Sequence, residues 1–132
     1  MRGAPGKIKK RNKTILLAED DRTVRKMVGE MLAMDGYDVI SAADGTEAYE
    51  HFKDRPSEID LLITDVVMPE MNGKDLGRYC RTDAPEIGIL FMSGYVDNRL
   101  DPEEDFQGRT DFIAKPFRPR EFLKKVEVLL DE

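Results

Sequence analysis

The sequence predicts an α/β fold in which a parallel sheet is covered by helices on both faces. Short continuous apolar runs at Ile15 to Ala18, Leu61 to Thr64 and Ile87 to Met92 each stop at a polar residue. Runs of this kind suit strands buried on both faces. Between them lie stretches with apolar residues at helical spacing. The two patterns alternate about five times, and a repeated strand-helix order builds a parallel sheet.

Taken in order, Ile15 to Ala18 is the first strand and runs into Glu19, Asp20 and Asp21. Val24, Met27, Val28, Met31 and Leu32 then fall at i, i+3, i+4, i+7 and i+8, which predicts a helix with all five in its core stripe and a stop at Asp35-Gly36. Tyr37 to Ala42 reads as the second strand. Asp44-Gly45 is a turn, Ala48, Tyr49 and Phe52 mark a weaker helix, and Pro56 closes it. Leu61 to Thr64 is the third strand; it delivers Asp65 and breaks at once into VVMPEMNG. Leu76, Tyr79 and Cys80 mark the third helix. Ile87 to Met92 is the fourth strand, and Phe112 to Ala114 the fifth. A last helix carries Phe122, Val126, Leu129 and Leu130 on one face.

The weak stretch is Tyr95 to Thr110, where the fourth helix of the repeat belongs. It has few apolar anchors, and Asp101-Pro102 followed by Glu103, Glu104 and Asp105 predicts a short or irregular helix starting late.

A chain of 132 residues fits one domain with a real core. Its 40% hydrophobic and 36% charged residues are those of a soluble globular protein, and no apolar run reaches the roughly 20 residues of a membrane span. No secretory signal is visible. Cys80 is the single cysteine, which excludes an internal disulfide and fits a reducing cytoplasm; at helical spacing with Leu76 and Tyr79 it reads as a buried apolar residue. His51, the single histidine, reads as an ordinary surface or boundary residue.

Charge is uneven. Arg2, Lys7, Lys9, Lys10, Arg11 and Lys13 give residues 1–13 six basic groups and no acid, and the segment reads as a disordered tail or linker, with the folded domain at 14–132. Setting those six aside leaves 15 basic against 27 acidic residues, a net charge of −12. That balance argues against a nucleic-acid surface on the folded part.

Ligands of open parallel sheets bind at the carboxyl ends of the strands. Glu19, Asp20 and Asp21 after strand 1, Asp65 after strand 3, Ser93 after strand 4 and Lys115 after strand 5 therefore gather at one edge. Each alone has a structural reading: Asp21 as a helix cap, Ser93-Gly94 as turn chemistry, Lys115 as a solvated end. Together the carboxylates repel one another unless a cation is present. Acids without Cys or His suit a hard cation, and Mg2+ best matches phosphate chemistry. A carboxylate such as Asp65 can then take a phosphoryl group while Lys115 offsets the charge and the Ser93 hydroxyl bonds a phosphoryl oxygen.

The chain resembles the receiver domains of bacterial two-component response regulators over about Thr14 to Asp131, through ILLAEDD, ITDVVMPEMNG, ILFMSGY and FIAKPF in that order. The resemblance implies a flavodoxin-like, doubly wound five-stranded sheet of order 2-1-3-4-5. It implies Asp65 as phospho-acceptor, and Mg2+ held by Asp20, Asp65 and the Val67 backbone carbonyl, with Glu19 helping through water. It further implies Ser93 and Phe112 as the switch pair and a cis peptide between Lys115 and Pro116. Glu19 as the first acid, Ser93 in place of Thr and Phe112 in place of Tyr are alternatives found within that family.

The implied function is to accept a phosphoryl group from a histidine kinase or histidine phosphotransfer protein and to switch conformation, with no turnover of an external substrate, no nucleic-acid binding and no membrane contact, in the cytoplasm. An aspartyl-phosphate hydrolase would want a second acid two residues after the nucleophile, where Val67 stands. The remaining alternative is a phosphorylation-independent interaction module. No effector domain follows Glu132, so the expectation is a stand-alone regulator or the receiver of a hybrid sensor kinase, which the MSGY and FIAKPF neighbourhoods also resemble.

Overall fold

A computed structural model describes residues 13–94, 106 and 108–131. Five parallel strands form one sheet: β1 (Thr14–Ala18), β2 (Asp38–Ala42), β3 (Leu61–Asp65), β4 (Gly88–Ser93) and β5 (Thr110–Ala114), in the order β2-β1-β3-β4-β5. Among the described residues the helices are α1 (Arg22–Met34), α2 (Gly45–Asp54), α3 (Gly73–Asp83) and α4 (Pro119–Asp131). The doubly wound flavodoxin-like sheet expected from the sequence is therefore present. Of the basic segment 1–13 only Lys13 is described, and of the stretch 95–110, where a short or irregular helix is expected, residues 95–105 and 107 lie outside the described residues.

Strand alternation sorts the core into two layers. Leu16, Ala18, Leu62, Ile89 and Phe91 face Ala48 and Phe52 of α2 and Leu76 and Cys80 of α3. Ile15, Leu17, Leu61, Ile63, Leu90, Met92 and Ile113 face Val28 and Leu32 of α1 and Phe122, Val126, Leu129 and Leu130 of α4. The central strands are apolar at successive positions because both faces are buried, which is why they read as runs. No helix among the described residues is long and apolar enough to cross a membrane.

Several expectations need correction. Met27 is 52% exposed and lies outside the core; Val28 and Leu32 carry the buried stripe, because a helix on a sheet buries a narrower arc than five apolar positions cover. Tyr79 is 50% exposed and packs its ring 5.3 Å from Tyr49 on the outside of α2 and α3, while Leu76 and Cys80 turn inward. Asp44-Gly45 is a helix start: Asp44 caps α2 by accepting from the Glu47 N–H, and Glu47 returns a bond from the Ala43 N–H. Asp21 and Asn72 cap α1 and α3 by accepting from the Val24 and Asp75 N–H groups.

Candidate functional site

Strand register brings the polar residues to one edge. Ala18 pairs with Thr64, which sets Glu19 beside Asp65. Asp65 pairs with Met92, so Ser93 is the next residue along β4, and Ser93 pairs with Ala114, so Lys115 is the next along β5. The edge is the switch point, where β1 and β3 send their connections to opposite sides.

Glu19, Asp20 and Asp65 each present a carboxylate oxygen within 4.8 Å of the others, with Glu19 and Asp65 buried and Asp20 exposed. The Lys115 ammonium lies 2.7 Å from Asp65 Oδ1 and 2.9 Å from Glu19 Oε1. Asp21 is not part of this group: its carboxylate accepts from the Val24 N–H, and its own N–H donates to Glu19 Oε2 at 3.0 Å. The Arg25 guanidinium donates to the Glu19 carbonyl at 2.8 Å and fixes the turn leaving β1.

Burial and the hydrogen bond with Glu19 push the Asp65 carboxyl up to about 8, against the pull of Lys115. Burial acts on Glu19 in the same direction, but hydrogen bonds to Asp65, Lys115 and the Asp21 N–H outweigh it and hold Glu19 below the ordinary carboxylate range. The two acids interact too closely to titrate independently, and the loss of a proton belongs to the pair. Lys115 is raised because its two carboxylates outweigh the cost of burying its charge. Two buried acids and an exposed third against one ammonium leave an excess of negative charge. With oxygen donors only, this cluster is fit to hold a hard metal ion.

The loop after Asp65 is held as tightly as the acid itself. The Val66 N–H donates to the Met92 carbonyl at 3.0 Å, the Gly73 N–H to the Val66 carbonyl at 2.8 Å, and Thr64 Oγ1 to the Asp65 carbonyl at 2.9 Å. Met68 is buried, whereas Val67 is 72% exposed. A Cβ on Gly73 would stand 2.9 Å from the Asp65 carbonyl carbon and 3.1 Å from Val66 Cα, so α3 can begin against the Asp65 backbone only with glycine there. Sequence reading took Asn72-Gly73 as the end of a loop and missed this role. The available signal was a glycine in the first turn of a helix, where alanine is the better helix former.

Ser93 is partly buried at the end of β4, and its carbonyl accepts from the Lys115 N–H at 2.6 Å. The Lys115–Pro116 peptide is cis. Phe112 pairs with Phe91 across β4 and β5 and is 41% exposed. The structure thus brings Glu19, Asp20, Asp65 and Lys115 into one cluster, with Ser93 on the same edge and Phe112 three residues upstream of the lysine.

The family model for the response regulator receiver domain matches residues 15–127. The response regulator receiver protein CpdR of Brucella abortus is 36% identical over 118 residues, covering 89% of this chain and 97% of that protein. The sensor kinase CckA of the same organism is 35% identical over 119 residues, covering 90% of this chain but 13% of that protein. Among solved structures, the non-phosphorylated receiver domain of HemR from Leptospira biflexa superposes with a TM-score of 0.80 at 32% identity, covering 91% of this chain and 95% of that one.

Proposed function

The chain belongs to the response regulator receiver domain family, and from that premise we propose that Asp65 is its phospho-acceptor, charged by a phosphohistidine on a histidine kinase or histidine phosphotransfer protein. Phospho-accepting signalling is the function of this family. The observation that carries the assignment to Asp65 is the Lys115 ammonium seated 2.7 Å from Asp65 Oδ1 and 2.9 Å from Glu19 Oε1, at the carboxyl edge of the sheet.

In the transfer, an Asp65 carboxylate oxygen forms a bond to phosphorus as the phosphorus-nitrogen bond of the phosphohistidine breaks; the bonding pair stays on the imidazole nitrogen, which takes up a proton from water and leaves as neutral imidazole. Lys115 supplies positive charge at the oxygen that attacks and at the phosphoryl oxygens that arrive. Asp20, Asp65 and the Val67 carbonyl would hold Mg2+, with Glu19 supporting it. When bound, Mg2+ offsets charge on the phosphoryl oxygens. Ser93 then donates its hydroxyl to the phosphoryl group and Phe112 reorients, so that the phosphorylated state favours one arrangement of the β4 and β5 ends. Attack of water on phosphorus releases phosphate and restores Asp65.

On this reading the folded domain is 14–132 with residues 1–13 as a basic tail, it acts in the cytoplasm, and it turns over no external substrate. The net charge of −12 on the folded part supports partners other than nucleic acid.

The test is intact-protein mass after incubation with acetyl phosphate, with and without Mg2+, on wild type and Asp65→Asn. A Mg2+-dependent gain of one phosphoryl group that the variant lacks is the expected result. Equal labelling of the variant would overturn the assignment.

A further inference from the structure

We infer that Gly45 is a positioning residue for the phosphorylation site, acting through Met71 on the loop that follows Asp65; this rests on the reading of Asp65 as phospho-acceptor. Gly45 carries no functional group and stands twenty residues before Asp65 in the chain. It is the first residue of α2, and a Cβ built on it would stand 2.8 Å from Met71 Cβ and 2.9 Å from the Met71 carbonyl carbon, and would overlap the Met71 carbonyl oxygen. Its φ lies outside the left-handed region, which among the described glycines holds Gly36 and Gly108. The demand for glycine is therefore steric: α2 abuts the backbone of the Asp65 loop with nothing between.

The abutment is firm on both sides. The α2 N-terminus is locked by the reciprocal Asp44 and Glu47 cap bonds of 2.8 Å. Met71 packs on the core layer beneath α2 and α3, and the preceding Glu70 is held at φ 69°, a conformation a non-glycine residue adopts only under constraint. From Met71 the chain runs to Gly73, whose own missing Cβ lets α3 press on the Asp65 backbone. The seven residues 66–72, Val67 among them, are thus clamped between two glycine contacts, Gly45 on Met71 and Gly73 on Asp65. Moving Met71 moves the segment that carries the Val67 carbonyl, without touching any of the acids or Lys115.

Three quantities test this on the full chain: Mg2+ affinity of the unphosphorylated protein by isothermal titration, phosphorylation rate with acetyl phosphate, and Tm. For Gly45→Ala, Mg2+ affinity falls by about 10-fold, and the phosphorylation rate drops at low Mg2+ and recovers as Mg2+ saturates. A merely structural role would lower Tm and leave the affinity of the folded protein unchanged, and that outcome overturns the proposal. Should Gly45→Ala fail to fold, Met71→Gly decides, since it removes the Cβ that α2 abuts and frees the loop backbone; loss of Mg2+ affinity supports the proposal, and wild-type affinity overturns it. Gly29→Ala is the control, because its Cβ would meet only ordinary contacts at 3.8 Å and 3.9 Å. A wild type that takes no phosphoryl group would defeat the Asp65 reading, while the Mg2+ titration would still decide the role of Gly45.

Discussion

Lys115 and Asp65, fifty residues apart, meet at 2.7 Å, and the same ammonium reaches Glu19 at 2.9 Å. One cation therefore serves two buried carboxylates. The site is electrically incomplete by design of its residues, and the consequences can be measured.

Asp65→Asn should raise stability in the absence of Mg2+. It removes one of two buried acids that repel each other and leaves Glu19 and Lys115 as a balanced pair. The expected gain is about 1 kcal/mol, a shift of about 3–6 °C in Tm. Mg2+ should stabilise wild type by mass action and leave the variant nearly unmoved. Thermal melts with and without Mg2+ check both signs, and a destabilised variant would contradict the charge argument.

Lys115→Ala should keep the fold but slow phosphorylation by acetyl phosphate about 100-fold, because the charge that meets the incoming phosphoryl oxygens is gone. Initial rates by intact-protein mass at saturating Mg2+ are the check. A rate within twofold of wild type would show that Lys115 is structural.

Cys80, on the inner face of α3, is fully buried against the sheet, and burial pushes its thiol up to about 12. An unfolded thiol titrates near about 8.5. Above that pH the unfolded chain releases a proton that the folded chain keeps, so stability falls as pH rises toward about 12 and is unaffected by this group below about 8. Labelling by a thiol reagent at pH 8 should follow global unfolding. Cys80→Ala should flatten the alkaline limb of stability.

Arg81 ties the end of α3 to the sheet, donating to the Ile87 carbonyl at 2.8 Å, the Arg109 carbonyl at 2.9 Å and Thr110 Oγ1 at 2.8 Å. A lysine keeps the charge but cannot make this fan of bonds. Arg81→Lys should cost about 2 kcal/mol in denaturant unfolding. Phosphorylation of the folded protein should be unchanged, since none of these groups lies at the acidic edge.

Much of this could be read along the chain. Apolar runs marked β1, β3 and β4 because both faces of a central parallel strand are buried, so nothing polar interrupts them. The site residues were legible for a related reason: a run that stops at an acid, a serine or a lysine places that group at the carboxyl edge. Helix faces were less legible. Met27 and Tyr79 sit at apolar spacing yet face outward, because the spacing gives the direction of a stripe and only the packed sheet sets its width.

The order of strands and helices, the edge at which Glu19, Asp20, Asp65, Ser93 and Lys115 collect, and the excess of acid among them can all be read in one dimension. These follow from local periodicity and from the single direction of a parallel sheet. It takes the packed fold to show that Lys115 bridges Asp65 and Glu19, that Asp21 turns away to cap α1, and that Gly45 and Gly73 press on the loop after Asp65. Those are contacts between distant segments, and a glycine chosen for what it lets approach looks, in one dimension, like a glycine chosen for a turn.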